Sequence, residues 1–346
     1  MKVNLSFREA LNRGLSREME ENPDVFVFGL DVPDHKRIYG STVGLVEKFG
    51  RGRCFGTPLS EEGMTGVALG AALSGLRPVH VHIRADFMML GMNQIANMVS
   101  NLHYVSAGKL RVPLVIRAMI GRGWGQSAQH SKSLHNIYAH FPGLKVVLPT
   151  TPQDAYSLLR GAIQDDNPVI FLEHRWLYDI SGEVDLDSIE PLGSAAVRRS
   201  GKDLTMVGTS WMTVEAVKAA EVLAKRGIEV EVVDVRTVAP LDEKTIVDSV
   251  RKTGHCIVAD HDWVFCGFGA ELAALVSHAA FDRLKRPVER LGYAHVPCPT
   301  SQTLENLFYP TAVDLIRTAE KMLDLEAADL TGETFYSYEQ RFKGPF

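Results

Sequence analysis

Short β-rich runs that alternate with segments of helical spacing constrain this chain more than any other feature. VFVFGL (residues 25–30), PVHVHI (78–83), VPLVIRAMI (112–120), KVVLPTT (145–151) and PVIFLEH (168–174) are apolar runs of strand length. Helical spacing marks residues 5–21, 43–49, 93–106 (through Ile95, Val99 and Leu102) and 153–163. Periodicity lapses over 184–202, where Gly, Ser, Pro and charge collect, and then the rhythm resumes. Strands are expected over 204–210, 228–235, 255–260 and 288–291, and helices over 214–225, 243–251, 268–284 and 304–323. Such alternation predicts an α/β fold of mainly parallel sheets covered on both faces. A chain of 346 residues exceeds one typical core. The reading is therefore a domain over 1–183, a linker over 184–202, a second domain over 203–324 and a docking tail over 325–346.

One helical segment stands apart. In TPLSEEGMTGVALGAALSG (57–75), a turn signal and the cap residue Ser60 lead into Glu61 and Glu62. Gly63, Gly66 and Gly70 then share one helix face. Three helical glycines cost about 3 kcal/mol against alanine. Backbone lying close to another helix or to a ligand would return that cost. The plainer alternative is that the two acids only answer the helix dipole.

Composition excludes some classes. A net charge of -5 leaves no electrostatic footprint for nucleic acid or an anionic membrane. No apolar run reaches the ~18 residues of a membrane span, and the start MKVNLSFREA does not read as a signal peptide. Cys54, Cys256, Cys266 and Cys298 form no CxxC pair and read as reduced thiols of a cytoplasmic protein.

Candidates for chemistry are scattered. The loop GRGWGQSAQHS (121–131) has three glycines but lacks the strand, helix and distal acid of a dinucleotide fingerprint. His130 closes that loop, either as a solvated side chain or as a functional one. His80 and His82 share one face of a strand; with no third ligand at recognisable spacing they read as structural rather than as metal ligands. ADHDW (259–263) ends a second-domain strand, an edge where open α/β sheets place ligands, although a hydrogen-bonded turn accounts for it equally.

Taken in order, TPLSEEG, RADF (84–87), AQHS (128–131), FPGLKVVLPTTPQDA (141–155), DDNPVIFLEH (165–174), VDVRTVAPLDEKTI (233–246) and CGFGAELAA (266–274) resemble the β subunit of the thiamin-diphosphate-dependent 2-oxoacid dehydrogenases. The pyruvate, branched-chain and acetoin enzymes are its best-known members, and the resemblance spans about residues 4–322.

The resemblance implies a pyrimidine-binding domain followed by a transketolase-type C-terminal domain. It implies that Glu61 hydrogen-bonds a ring nitrogen of the cofactor's aminopyrimidine, that Phe87 stacks on that ring and that the Leu59 carbonyl holds its amino group. It makes His130 the active-site histidine that orients the substrate or assists acyl transfer. It implies potassium ligands at Leu114, Ala162, Ile163, Asp165 and Asn167, for which a turn rich in Asp and Asn is the alternative. The family's diphosphate and Mg2+ are held by a GDG motif on an α subunit, and no GDG occurs here. An obligate α partner in a two-alpha, two-beta assembly and a lipoyl acyltransferase component follow from the resemblance.

Three positions depart from the family pattern. Leu30 stands where an acid is usual, Arg84 where an apolar or aromatic residue is usual, and Trp124 in a loop of small residues. With His261, Arg84 and Trp124 are candidate substrate contacts, pointing to a 2-oxoacid with a second carboxylate or a phosphate. Two other functions compete: the C-terminal half of a split transketolase acting on sugar phosphates, and a non-catalytic scaffold subunit.

Overall fold

The structure, a computed structural model, describes residues 1–34, 38–121 and 125–336. Two compact units are present. The first comprises Met1–Gly121, Ser133–Gly193 and Thr237–Pro240; the second comprises the described residues of Arg122–Lys132, Ser194–Arg236 and Leu241–Phe346.

The first unit is built on a sheet whose strands lie in the order Thr237–Ala239, Lys145–Val147, Val169–His174, Val115–Ile120, Arg77–Arg84, Val25–Gly29 and Cys54–Gly56. All neighbours run parallel except the first pair. Burial on both faces explains why these strands read as unbroken apolar runs. The helices Phe7–Glu21 and Pro152–Gln164 pack on each other, with Gly14 allowing the close approach: a Cβ there would sit 3.2 Å from the Tyr156 carbonyl oxygen. Their seam carries a buried ion pair, Arg160 Nε to Glu18 Oε1 at 2.6 Å.

The first helix begins later than its apolar spacing predicts. Ser6 and Glu9 form a reciprocal capping box, with Ser6 N–H donating to Glu9 Oε2 at 2.8 Å. The residues before it, Lys2–Ser6, become a strand paired antiparallel with Ser181–Asp185. Expected over 93–106, the next helix instead has a π segment at Asn93–Val99, extended by the Ser100 N–H bond to the Ile95 carbonyl, and then a short helix at Leu102–Val105.

The second unit repeats the architecture. Its strands follow the order Glu289–Tyr293, Cys256–Trp263, Leu204–Gly208, Val230–Asp234 and Ala196–Arg199, the last antiparallel. Leu204, Met206, Val230 and Val232 form its core with Ala216 and Leu223 of helix Trp211–Ala224 and Leu315 and Ile316 of helix Ala312–Met322. The stretch without periodicity thus contains an edge strand, Ala196–Arg199. The long helix expected over 304–323 is two helices, Gln302–Glu305 and Ala312–Met322. Pro310 lacks the N–H a continuous helix needs, and Thr311 starts the second piece by capping with Asp314.

Candidate functional site

The C-terminal edge of the parallel sheet is where an open α/β fold presents ligands. In the first unit this edge carries Gly29, Gly56 and Arg84, each the last residue of its strand. Gly29 has φ +142°, and a Cβ there would lie 2.2 Å from the Val81 carbonyl oxygen, so only glycine lets the chain turn out of the sheet at this point. Glu61 is the first residue of helix Glu61–Leu73, five positions past strand Cys54–Gly56. It is half-buried, while Leu59 before it is 82% exposed. Arg84 is buried and hands over directly to the short helix Ala85–Met88, where Phe87 is half-buried.

Two residues with no assigned role complete this corner. Thr65 Oγ1 donates to the Glu61 carbonyl oxygen at 2.7 Å and lies 3.3 Å from His82 Nε2. With the threonine proton committed to Glu61, His82 donates through Nε2–H. Burial lowers the His82 pKa to about 4, and burial together with the neighbouring His82 holds His80 well below its ordinary range. The two rings stack at 4.3 Å, and His80 stacks in turn on Phe28 at 4.7 Å. The stack keeps both rings neutral and buried, each with an Nδ1 that has no hydrogen-bond partner among the described residues.

The glycine-thinned face of helix Glu61–Leu73 is largely open among the described residues. A Cβ at Gly70 would meet nothing within 4 Å, and one at Gly66 only the Gln94 side chain at 3.8 Å. Val67 and Leu73 on this helix are 54% and 41% exposed. Gly63 differs, since a Cβ there would come 2.9 Å from Ser60 Oγ, so it is the cost of Gly66 and Gly70 that has no close-packed return among the described residues.

In the second unit, His130 follows the single turn Ser127–Gln129 and is half-buried. Ser131 Oγ donates to the Ser127 carbonyl at 2.8 Å, and Tyr309 Oη donates to the Ser131 carbonyl at 3.5 Å. Tyr309 also lies 5.3 Å from the His261 ring, which is buried at the end of strand Cys256–Trp263. The backbone beside His130 and the His261 ring thus meet the same aromatic cluster. A cavity of about 450 Å³ opens here, lined by Ala128, Lys132, Trp263, Phe265, His295 and Val296 among others. Trp124 lies outside the described residues.

The residues expected to hold potassium lie at the opposite end of the first unit's sheet. Arg77 opens the strand that Arg84 closes, roughly 23 Å away at 3.3 Å per residue. Its Nη1 donates to the Ile163 and Asp165 carbonyls at 2.9 and 3.1 Å, and the Leu114 carbonyl accepts from Val169 N–H at 2.9 Å. Each of these oxygens retains a second lone pair. Ala162 is buried, and Asn167 donates through its side chain and its backbone N–H to Asp165 Oδ1, both at 2.9 Å.

Burial works to raise the Asp165 pKa, but the bonds from Lys145 and Asn167 outweigh it and hold the carboxyl below its usual range. A depressed folded-state pKa contributes stability that is present above the unfolded value, about pH 4, and is lost as pH falls through the folded one. Asp165→Asn is therefore expected to lower stability at pH 7 and to flatten the acid limb of the unfolding curve below about pH 4. Far-UV circular dichroism against pH checks this, and an unchanged acid limb would count against it.

Comparison with known proteins adds to this geometry. A transketolase pyrimidine-binding domain family model matches residues 3–180, and a transketolase C-terminal domain model matches 193–315. The chain is 41% identical over 323 residues to the pyruvate dehydrogenase E1 component subunit beta-2, mitochondrial, of Oryza sativa subsp. japonica, covering 92% of this chain and 86% of that one. It is 40% identical over 330 residues to the acetoin:2,6-dichlorophenolindophenol oxidoreductase subunit beta of Cupriavidus necator, covering 92% and 97%. Among solved structures, a split gene transketolase in an inactive beta4 tetramer superposes with a TM-score of 0.76 at 24% identity, covering 93% of this chain and all of that one. That last likeness shows the fold alone.

Proposed function

This chain belongs to the family of β subunits of thiamin-diphosphate-dependent 2-oxoacid dehydrogenases, and we propose that Glu61, Phe87, Leu59 and His130 carry its share of a site completed by an α subunit. The transketolase reading rests on a likeness of fold, whereas the 2-oxoacid reading rests on relatives near 40% identity. The scaffold reading is left to the titration below, where binding in neither form would favour it.

One observation carries the proposal: a half-buried carboxylate opens a helix at the C-terminal sheet edge, and that helix is open at Gly66 and Gly70 among the described residues. Thiamin diphosphate, when bound, would supply a carbon nucleophile and an electron sink for decarboxylation of a 2-oxoacid. Glu61 holds a proton against a ring nitrogen of the cofactor's pyrimidine, Phe87 offers it a stacking face, and the exposed Leu59 peptide offers it a carbonyl. His130 orients the substrate or assists acyl transfer to a lipoyl group. The α partner supplies the diphosphate and Mg2+ contacts in a two-alpha, two-beta assembly. Potassium on the second lone pairs of the Leu114, Ala162, Ile163, Asp165 and Asn167 set would brace the first unit. Arg84 and His261 remain candidate substrate contacts. The cytoplasm is the compartment we assign, on four unbridged cysteines; no helix among the described residues is long and apolar enough to cross a membrane.

Calorimetric titration of thiamin diphosphate into the isolated chain, and into its complex with an α subunit, tests this reading. Binding in the complex alone is the expected result, and binding in neither would overturn it. Repeating the titration and a thermal melt with choline in place of potassium tests the cation, which is removed from the reading if neither changes.

A further inference from the structure

Thr65 bonds the carbonyl oxygen of Glu61, His82 stands behind that threonine, and Gly91 lies against both the threonine and the Glu61 peptide. Thr65 Oγ1 donates to it at 2.7 Å from one turn further along the same helix. His82, from strand Arg77–Arg84, stands 3.3 Å behind the threonine oxygen. Gly91 ends the turn Met89–Gly91 that follows Phe87, and a Cβ there would come 3.1 Å from Thr65 Oγ1 and 3.3 Å from the Glu61 oxygen. Both are tighter than ordinary contacts, so the absence of a side chain at 91 lets this turn rest on the Glu61 peptide. Thr65 and His82 are fully enclosed, and the other nitrogen of His82, Nδ1, has no hydrogen-bond partner among the described residues. The imidazole therefore spends its buried polar capacity on the threonine, an expensive choice if the position served packing alone.

We infer that His82, Thr65 and Gly91 are positioning residues that set the distance between the Glu61 carboxylate and the Phe87 ring. The inference rests on the proposed roles of those two residues. The helix, the strand and the turn after Phe87 are three separate elements, and the Glu61 peptide is where they are tied together. A pyrimidine held between an acid and an aromatic face needs both at one fixed separation, and small errors in placement are costly. Thr65 supplies the donor to the helix, His82 anchors that donor to the sheet, and Gly91 lets the Phe87 segment close on it. Thr65, His82 and Gly91 would act through Glu61 and Phe87 rather than as cofactor contacts themselves.

The test uses the complex with its α subunit and measures both the thiamin diphosphate dissociation constant by calorimetry and the steady-state constants. Thr65→Val keeps the shape and removes the hydroxyl; it is expected to weaken cofactor binding about tenfold and to lower kcat with little change in KM for the 2-oxoacid. Thr65→Ser is expected to restore both, and His82→Gln to retain more affinity than His82→Phe. Gly91→Ala is expected to weaken the cofactor without altering the melting temperature of the cofactor-free complex by more than a few degrees. Cofactor affinity within twofold of wild type in Thr65→Val and His82→Phe would overturn the inference. Glu61→Ala run beside them separates the two levels. If it loses turnover while the positioning variants bind normally, only the inference falls. If it turns over like wild type, the underlying reading falls first.

Discussion

Replacing Glu61 with alanine in the assembled complex is expected to cut turnover about 10³-fold, within the range contributed by a positioned acid or base. The fold should survive. Thr65 bonds the backbone carbonyl of Glu61, which alanine retains, and alanine is a good helix former in the first turn. What is lost beyond the chemistry is a favourable dipole interaction of about 0.5 kcal/mol, offset in part by the neighbouring Glu62. Turnover and assembly should therefore separate: size-exclusion chromatography should show an unchanged complex while steady-state assays show almost no product. A variant retaining more than a tenth of wild-type kcat would remove Glu61 from the mechanism.

The second large effect concerns stability. Arg117 and Glu173 form a fork on adjacent strands of the first unit's sheet, with Nε to Oε1 at 2.6 Å and Nη2 to Oε2 at 3.0 Å. Both are only 1% exposed. Arg117 Nη2 also reaches Ser41 Oγ at 3.2 Å, and the Tyr178 hydroxyl donates to Glu173 Oε2. Burial and the adjacent Glu173 push the Tyr178 hydroxyl well above its ordinary range, so it stays a donor at any working pH. Arg117→Met leaves the carboxylate buried beside one hydroxyl. Such a loss costs about 3–5 kcal/mol and should lower the melting temperature by roughly 10 °C. The double variant Arg117→Met with Glu173→Leu should recover most of that loss, because no unpaired charge is left behind. A single variant melting within 2 °C of wild type, about a fifth of the expected drop, would show that Glu173 finds another partner.

How much of this was legible beforehand depends on the range of the interaction. The parallel sheets were, because strands buried on both faces must be written as continuous apolar runs, and PVIFLEH or LTMVGTS cannot hide that. The Ser6 capping box and the Pro310 break are local too, but apolar spacing passed over both and ran helices across 5–21 and 304–323. Edge strands such as Ala196–Arg199 were not, since half-exposed pairing partners leave no apolar run to read. Glu61 was visible through its helix start, and through the register of the fragments around it.

Thr65 and His82 show the limit. They are 17 positions apart, and His82 in isolation reads as one of two histidines on a strand face. By itself the sequence determined the class of fold, the alternation that builds it, and the carboxylate at the head of a glycine-thinned helix, because each is written in neighbouring residues. Only the tertiary structure decided what stands behind that carboxylate and which glycines are left open among the described residues. A hydrogen bond between two elements, or an open helix face, depends on distances that the folded backbone alone sets.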